Sequence, residues 1–251
     1  MLLQDKTAVI YGGGGSIGGA VARAFAREGA TVHLAGRTES RLEDVAEQIR
    51  ASGGRAETAQ VDALDEKAVD QHADSVAEAA GGIDISLNVI QHGDVQGTPM
   101  AEMKVEDYVR PVDAAVRTTF LTSRAAARHM MLQGSGLILA FGGYGDPMRG
   151  YYLGGLQTAF QAIECMRRQL AAELGPHGIR VLTIQTAGVL ESLPDGFEGR
   201  QAIVDDTEGR TMLGRGATLD DVGNVAVFAA SDYASSMTAT ALNITCGAVV
   251  D

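Results

Sequence analysis

The chain has 251 residues, 45% hydrophobic and 21% charged, a balance that fits one globular domain over residues 1–251 and excludes disorder. A net charge of −12 repels nucleic-acid backbones and anionic membrane surfaces, so neither is expected as a partner. Its two cysteines, Cys165 and Cys246, exclude a disulfide framework; with no signal-peptide pattern and no apolar run near ~18 residues, a soluble cytoplasmic protein is expected.

Thr7–Tyr11 is a short apolar run that predicts a strand ending in glycines. Ile17, Ala20, Val21, Ala24 and Phe25 follow at helical spacing, and Gly29 stops that helix. Thr31–Ala35 predicts a second strand. Ser40 and Glu43 read as a capping box opening a helix through Leu42, Val45, Ala46 and Ile49, ended by Gly53 and Gly54. A strand is expected over Ala56–Val61, a helix over Asp65–Ala80 and a buried strand over Ile83–Ile90. Val105–Leu132 predicts one long helix, with Pro111 marking either a kink or the true first turn. Leu137–Phe141 reads as a fifth strand and Gly142–Gly155 as a loop rich in glycine and tyrosine. Leu156–Leu174 reads as a helix stopped by Gly175 and Pro176, and Ile179–Ile184 as a sixth strand. Residues 187–217 carry few periodic signals and are expected to form a lid-like substrate loop. Leu219–Ala230 predicts the last helix and Ala241–Thr245 the last strand. This alternation implies an α/β fold, a single-domain Rossmann-type doubly wound parallel sheet of about seven strands with helices on both faces.

The turn after the first strand carries a dinucleotide signature. Gly13, Gly15 and Gly18 match G-x-G-x-x-G at the opening of a βαβ unit, with Gly12, Ser16 and Ile17 in the same turn. Glycines let the backbone approach a pyrophosphate, whose charge sits on the helix N-terminus. The second strand ends Ala35-Gly36-Arg37 with no acid to take a ribose 2′-hydroxyl. A guanidinium there matches a 2′-phosphate, so NADP(H) is favoured over NAD(H).

These residues resemble the short-chain dehydrogenase/reductase family over nearly the whole chain. Further matches are Asp62, Asn88, the run Gly175-Pro176-His177-Gly178-Ile179-Arg180, Leu213-Gly214-Arg215 and Ser231-Asp232. The resemblance implies that Asp62, with Ala63 beside it, meets the adenine. It implies that Asn88, Val89 and Ile90 flank the ribose and nicotinamide, and that Gly188, Val189 and Ser192 close over the carboxamide. It also implies a homo-oligomer, tetramer or dimer, built in part on the long helix and the last strand.

The resemblance breaks at the hydride-transfer machinery. The family uses a serine, a tyrosine, a lysine four residues later and an upstream asparagine. The tyrosine is the proton donor, and the lysine tunes it and holds the ribose. The matching positions here are Gly143, Leu156, Phe160 and Ala115. No shift of alignment restores the pair, because Lys6, Lys67 and Lys104 are the three lysines against seventeen arginines. The enoyl reductase arrangement fails for the same reason. The halohydrin dehalogenase branch keeps serine and tyrosine and loses the nucleotide loop, the reverse of this chain.

Three groups are candidates for the missing acid–base work. Tyr152 and Tyr144 lie on the loop that normally carries the serine and tyrosine, with Tyr151 and Arg149 close by; a nearby cation depresses a phenol pKa. His92, with Asp94 two residues on, follows the fourth strand near the same mouth. The five histidines are scattered, so no metal site is expected. The expected function is an NADP(H)-dependent oxidoreductase with a non-standard site acting on a small-molecule carbonyl or alcohol. The alternative is a non-redox member of the fold, either a nucleotide-binding pseudoenzyme or an isomerase or cyclase.

Overall fold

A computed structural model of the chain describes residues 1–144, 150–193, 196 and 199–250. The first half alternates strand and helix: β1 (Thr7–Tyr11), α1 (Ser16–Arg27), β2 (Thr31–Gly36), α2 (Glu39–Ala51), β3 (Arg55–Gln60), α3 (Glu66–Ala80) and β4 (Ile85–Asn88). The long α4 (Val105–Gln133) leads to β5 (Gly136–Gly143), α5 (Gly155–Leu174), β6 (Ile179–Thr186), α6 (Arg200–Arg210), α7 (Leu219–Ala230) and β7 (Thr240–Asn243).

All strands pair in parallel in one seven-stranded sheet of order β3-β2-β1-β4-β5-β6-β7. The chain runs outward from β1 to β3, then returns to place β4 against the other side of β1. That reversal opens a crevice at the carboxyl ends of β1 and β4, where ligands of such sheets bind. Successive side chains of β1 and β2 point to opposite faces. Ala8, Ile10 and Leu34 pack with α1, α2 and α7, whereas Val9, Tyr11 and Ala35 pack with α3, α4 and α5. The sheet is therefore covered on both faces, as the alternation predicts.

Several local expectations need correction. α2 starts at Glu39, ahead of Ser40, with Thr38 at the N-cap and no side-chain cap bond. Glu43 instead bonds the Arg50 guanidinium and accepts from the Thr58 hydroxyl at 3.0 Å. The capping box therefore fails because a stronger cationic partner takes the carboxylate. Pro111 lies inside α4 as neither its first turn nor its end; the bond it removes is the one to the Asp107 carbonyl. β5 extends through Gly142 and Gly143, which pair with Gln185 and Thr186 of β6. Backbone pairing needs no side chain, so those glycines look like loop in the sequence.

The largest correction concerns residues 187–217. They hold a short 3-10 turn (Leu190–Ser192) and the whole of α6. Thr207 is the buried residue of α6, so the helix has no apolar stripe for periodicity to detect.

Candidate active site

Tyr11 ends β1 almost fully buried, and the chain then turns sharply. Gly12 has φ +88, and a Cβ there would lie 2.8 Å from the Val89 carbonyl oxygen. A Cβ on Gly18 would lie 2.3 Å from the Gly12 carbonyl oxygen. Both positions exclude any side chain, which seats the β1–α1 turn against the end of β4. Gly15 is the N-cap of α1 and makes no side-chain cap bond. A Cβ on Gly15 would meet just the Gly12 oxygen, at 3.4 Å. Gly15 and Ser16 are exposed, so the N-terminal end of α1 is open to a ligand. That is the polarity and shape an anionic pyrophosphate requires.

The neighbouring walls are fixed by backbone bonds. The Val89 N–H donates to the Tyr11 carbonyl at 3.0 Å. The Asn88 side chain accepts from the Ile90 N–H at 3.0 Å and donates to the Thr122 hydroxyl at 3.3 Å. Asp62 is exposed just past β3 and accepts from the Leu64 N–H at 3.0 Å, with Ala63 buried beside it. Gly188 has φ +113 and open space around its missing Cβ. The Ser192 hydroxyl donates to the Val189 carbonyl at 2.7 Å, which shapes the turn after β6. All of these positions follow strand ends on one edge of the sheet. The cradle therefore fits a dinucleotide.

Arg37 stands exposed directly after β2, and its guanidinium has no partner among the described residues; its carbonyl accepts from Gln60 at 2.9 Å. Sequence reading missed a second cation there. Arg41 lies one helical turn on, and its Cβ would sit 3.0 Å from a Cβ on Gly14. The signal was available as a second arginine in the first turn of the helix that directly follows Arg37.

One strand over, the carboxyl end of β5 faces the second turn of α5. A Cβ on Gly143 would lie 2.5 Å from Cε2 of Phe160. The Phe160 ring meets the His92 imidazole edge to face, with centroids 6.3 Å apart and planes at 67°. His92 is half-buried, and burial holds its pKa below the ordinary 6.5, with Asp94 opposing. Ala115 is fully buried and packs with Ala140, Ala159 and Ile163 behind this floor. Leu156 is half-buried in the first turn of α5.

The tyrosines are placed differently. Tyr152 is 51% exposed with φ +49, and its carbonyl accepts from the Gly97 N–H at 3.2 Å. Tyr144 is half-buried, and its carbonyl accepts from Gln161 at 3.4 Å. Tyr151 turns to α6, bonding Asp206 and accepting from Arg210 at 3.3 Å. Burial and Asp206 raise its pKa. Arg149 lies outside the described residues.

A family model described as enoyl-(acyl carrier protein) reductase matches residues 13–248. The chain is a short-chain dehydrogenase/reductase. It is 31% identical to the uncharacterized oxidoreductase YxbG of Bacillus subtilis, over 94% of this chain and 88% of that one. It is 33% identical to an L-rhamnose 1-dehydrogenase (NAD(P)(+)) of Azotobacter vinelandii, over 100% of this chain and 99% of the other. A short-chain dehydrogenase/reductase from Serratia marcescens superposes with a TM-score of 0.89 at 26% identity, covering 100% of both chains. The similar proteins are oxidoreductases, and NAD(P)(H) is the family's cofactor. Among the described residues no helix of this short-chain dehydrogenase/reductase is long and apolar enough to cross a membrane.

Proposed function

We propose that this chain is an NADP(H)-dependent oxidoreductase for a carbonyl–alcohol pair, in which His92 exchanges the proton with the substrate oxygen. The cofactor preference rests on Arg37 and Arg41, two guanidiniums without a partner among the described residues, just after β2 and in the first turn of α2. They supply the charge and fork geometry that a 2′-phosphate needs.

The observation that carries the His92 assignment is the contact of its ring with Phe160 above Gly143. We read Gly143, Leu156, Phe160 and Ala115 as the family's four catalytic positions, none of which here can pass a proton. His92 is the titratable side chain packed against that floor. Tyr144 and Tyr152 are read as walls of the substrate pocket. When bound, the nicotinamide exchanges a hydride with the substrate carbon. His92, kept neutral near pH 7 by burial, accepts the hydroxyl proton as an alcohol becomes a carbonyl. In the reverse direction the imidazolium returns it. The sign is definite: alcohol oxidation weakens as pH falls through the His92 pKa, because the protonated ring has no free lone pair.

The test is turnover of NADP+ with an alcohol panel and of NADPH with the matching ketones and aldehydes. His92→Asn is expected to lose about 100-fold or more, with Tyr144→Phe and Tyr152→Phe staying within a few-fold of wild type. An unchanged rate in His92→Asn would refute the assignment. Turnover with neither cofactor across the panel would favour the non-redox reading.

A further inference from the structure

We infer that Gly143, Phe160 and His92 form one mechanical unit, in which the bare backbone of Gly143 makes room for the Phe160 ring and that ring positions the His92 imidazole. The inference rests on the proposed role of His92 and extends it to two residues that never touch the reacting atoms.

The geometry leaves little freedom. A Cβ on Gly143 would lie 2.5 Å from Cε2, 2.8 Å from Cδ2 and 3.2 Å from Cζ of Phe160. Contacts below about 3 Å are overlaps, so the ring occupies the space a side chain on Gly143 would fill. Gly142 leaves the ring at ordinary contact, 3.5 Å from its missing Cβ. The same ring meets His92 at 6.3 Å between centroids and 67° between planes, within the favourable edge-to-face range. Three different elements meet here: the carboxyl end of β5, the second turn of α5 and the segment after β4. His92 sits on a connecting segment with no regular structure from Val89 to Val95. A packed ring is therefore what fixes its orientation.

The electrostatic surroundings agree. Asp94, on the same segment, favours the imidazolium, whereas burial opposes it and prevails. From α4, Arg110 approaches that segment, with its Cδ 3.5 Å from where a Cβ on Gly93 would stand, and it is paired with Asp107 at 2.6 Å. β5 and α5 present Gly143 and Phe160, which carry no charge. On this side the apolar ring packed against His92 is that of Phe160.

A double-mutant series read by histidine NMR tests the coupling without needing a substrate. Histidine-labelled protein is titrated free and with NADP+ bound, and His92 is assigned by the signal missing in His92→Asn. In the wild type its pKa is expected below 6.5. Phe160→Leu should raise it toward that value by readmitting water. Gly143→Ala should also shift it, by pushing the ring aside, and this shift should vanish in the Phe160→Leu background, where no ring is left to push. Should Phe160→Leu fold poorly, Phe160→Met replaces it. Identical His92 titrations in wild type, Phe160→Leu and Gly143→Ala would overturn the unit. The alcohol-oxidation pH profile then separates the two readings. Coupled titrations with a profile that Phe160→Leu moves in step support both. Coupled titrations with full activity in His92→Asn keep the unit and overturn the proton assignment.

Discussion

His33 of β2 and His72 of α3 each have a buried ring nitrogen with no hydrogen-bond partner among the described residues: Nε2 of His33 and Nδ1 of His72. Tyr11 meets His72 edge to face at 5.7 Å. Burial and the nearby His33 lower the His72 pKa from 6.5 to about 4. Burial also lowers the pKa of His33, against an opposing pull from Glu57. Burial above all, and Asp70 in addition, raise the pKa of the Tyr11 phenol, so it stays neutral. The linkage sign follows directly. A histidine whose folded pKa is depressed binds its proton in the unfolded state first, so stability falls as pH drops below 6.5 and keeps falling to about 4. The expected loss is on the order of 2 kcal/mol between pH 7 and pH 4.5. Urea midpoints of wild type and His72→Phe check it: the variant should show a shallower acid slope, and parallel slopes would remove His72 from the account.

At this same scale the sequence is uneven in what it discloses. Gly12, Gly15, Gly18 and Arg37 are legible because each backbone or charge requirement is local and falls in one short run. The Phe160–His92 contact is not legible, because residues 92 and 160 meet across three elements. Phe160 alone could be read as a departure from a family pattern. That its ring packs against His92 becomes visible once the fold is known.

Among the elements, α6 is held most lightly. Its buried residue is Thr207, and its tie to the pocket side is Tyr151. Arg210 binds that tyrosine twice, its guanidinium lying over the ring at 5.3 Å and donating to its hydroxyl at 3.3 Å. Arg210 also pairs with Asp206 at 2.9 Å. Tyr151→Phe removes the hydroxyl from this triad and leaves the ring. Hydrogen exchange of the amides of α6 should then speed up by roughly three- to tenfold, as one hydrogen bond of about 1 kcal/mol predicts. The core strands should be unaffected. Unchanged exchange in α6 would show that Tyr151 does not hold it.

The contrast with α3 and α4 explains why some elements are easier to read than others. Arg124 pairs with Glu66 at 2.5 Å and Asp70 at 2.7 Å, and Arg128 with Asp74 at 2.8 Å, beside an apolar seam that includes Val69, Ala73, Leu121 and Ala125. Such helices announce themselves through periodicity. α6 has no buried stripe and so evades that signal, whereas α2 is legible through Leu42, Val45, Ala46 and Ile49 and just its start at Glu39, with Thr38 as an N-cap that makes no side-chain bond, is misplaced. α7 is the opposite case: Thr218 and Asp221 form a true capping box, and its boundaries match the expected Leu219–Ala230.

At the scale of the whole molecule, the order β3-β2-β1-β4-β5-β6-β7 brings the ends of β1 to β4 and β6 to one edge. The fold class and this gathering of strand ends are both implied by strand–helix alternation. Register, helix faces and the exact floor of the pocket are not, because they depend on packing between distant residues. The central claim is that this edge binds NADP(H) through Arg37. The measurement that bears on it most directly is an equilibrium fluorescence titration of wild type and Arg37→Ala with NADPH and, in parallel, NADH. Wild type is expected to bind NADPH at least about tenfold more tightly than NADH, and Arg37→Ala to lose most of that margin with its NADH affinity unchanged. Equal affinities in the wild type, or a margin that survives Arg37→Ala, would contradict the account.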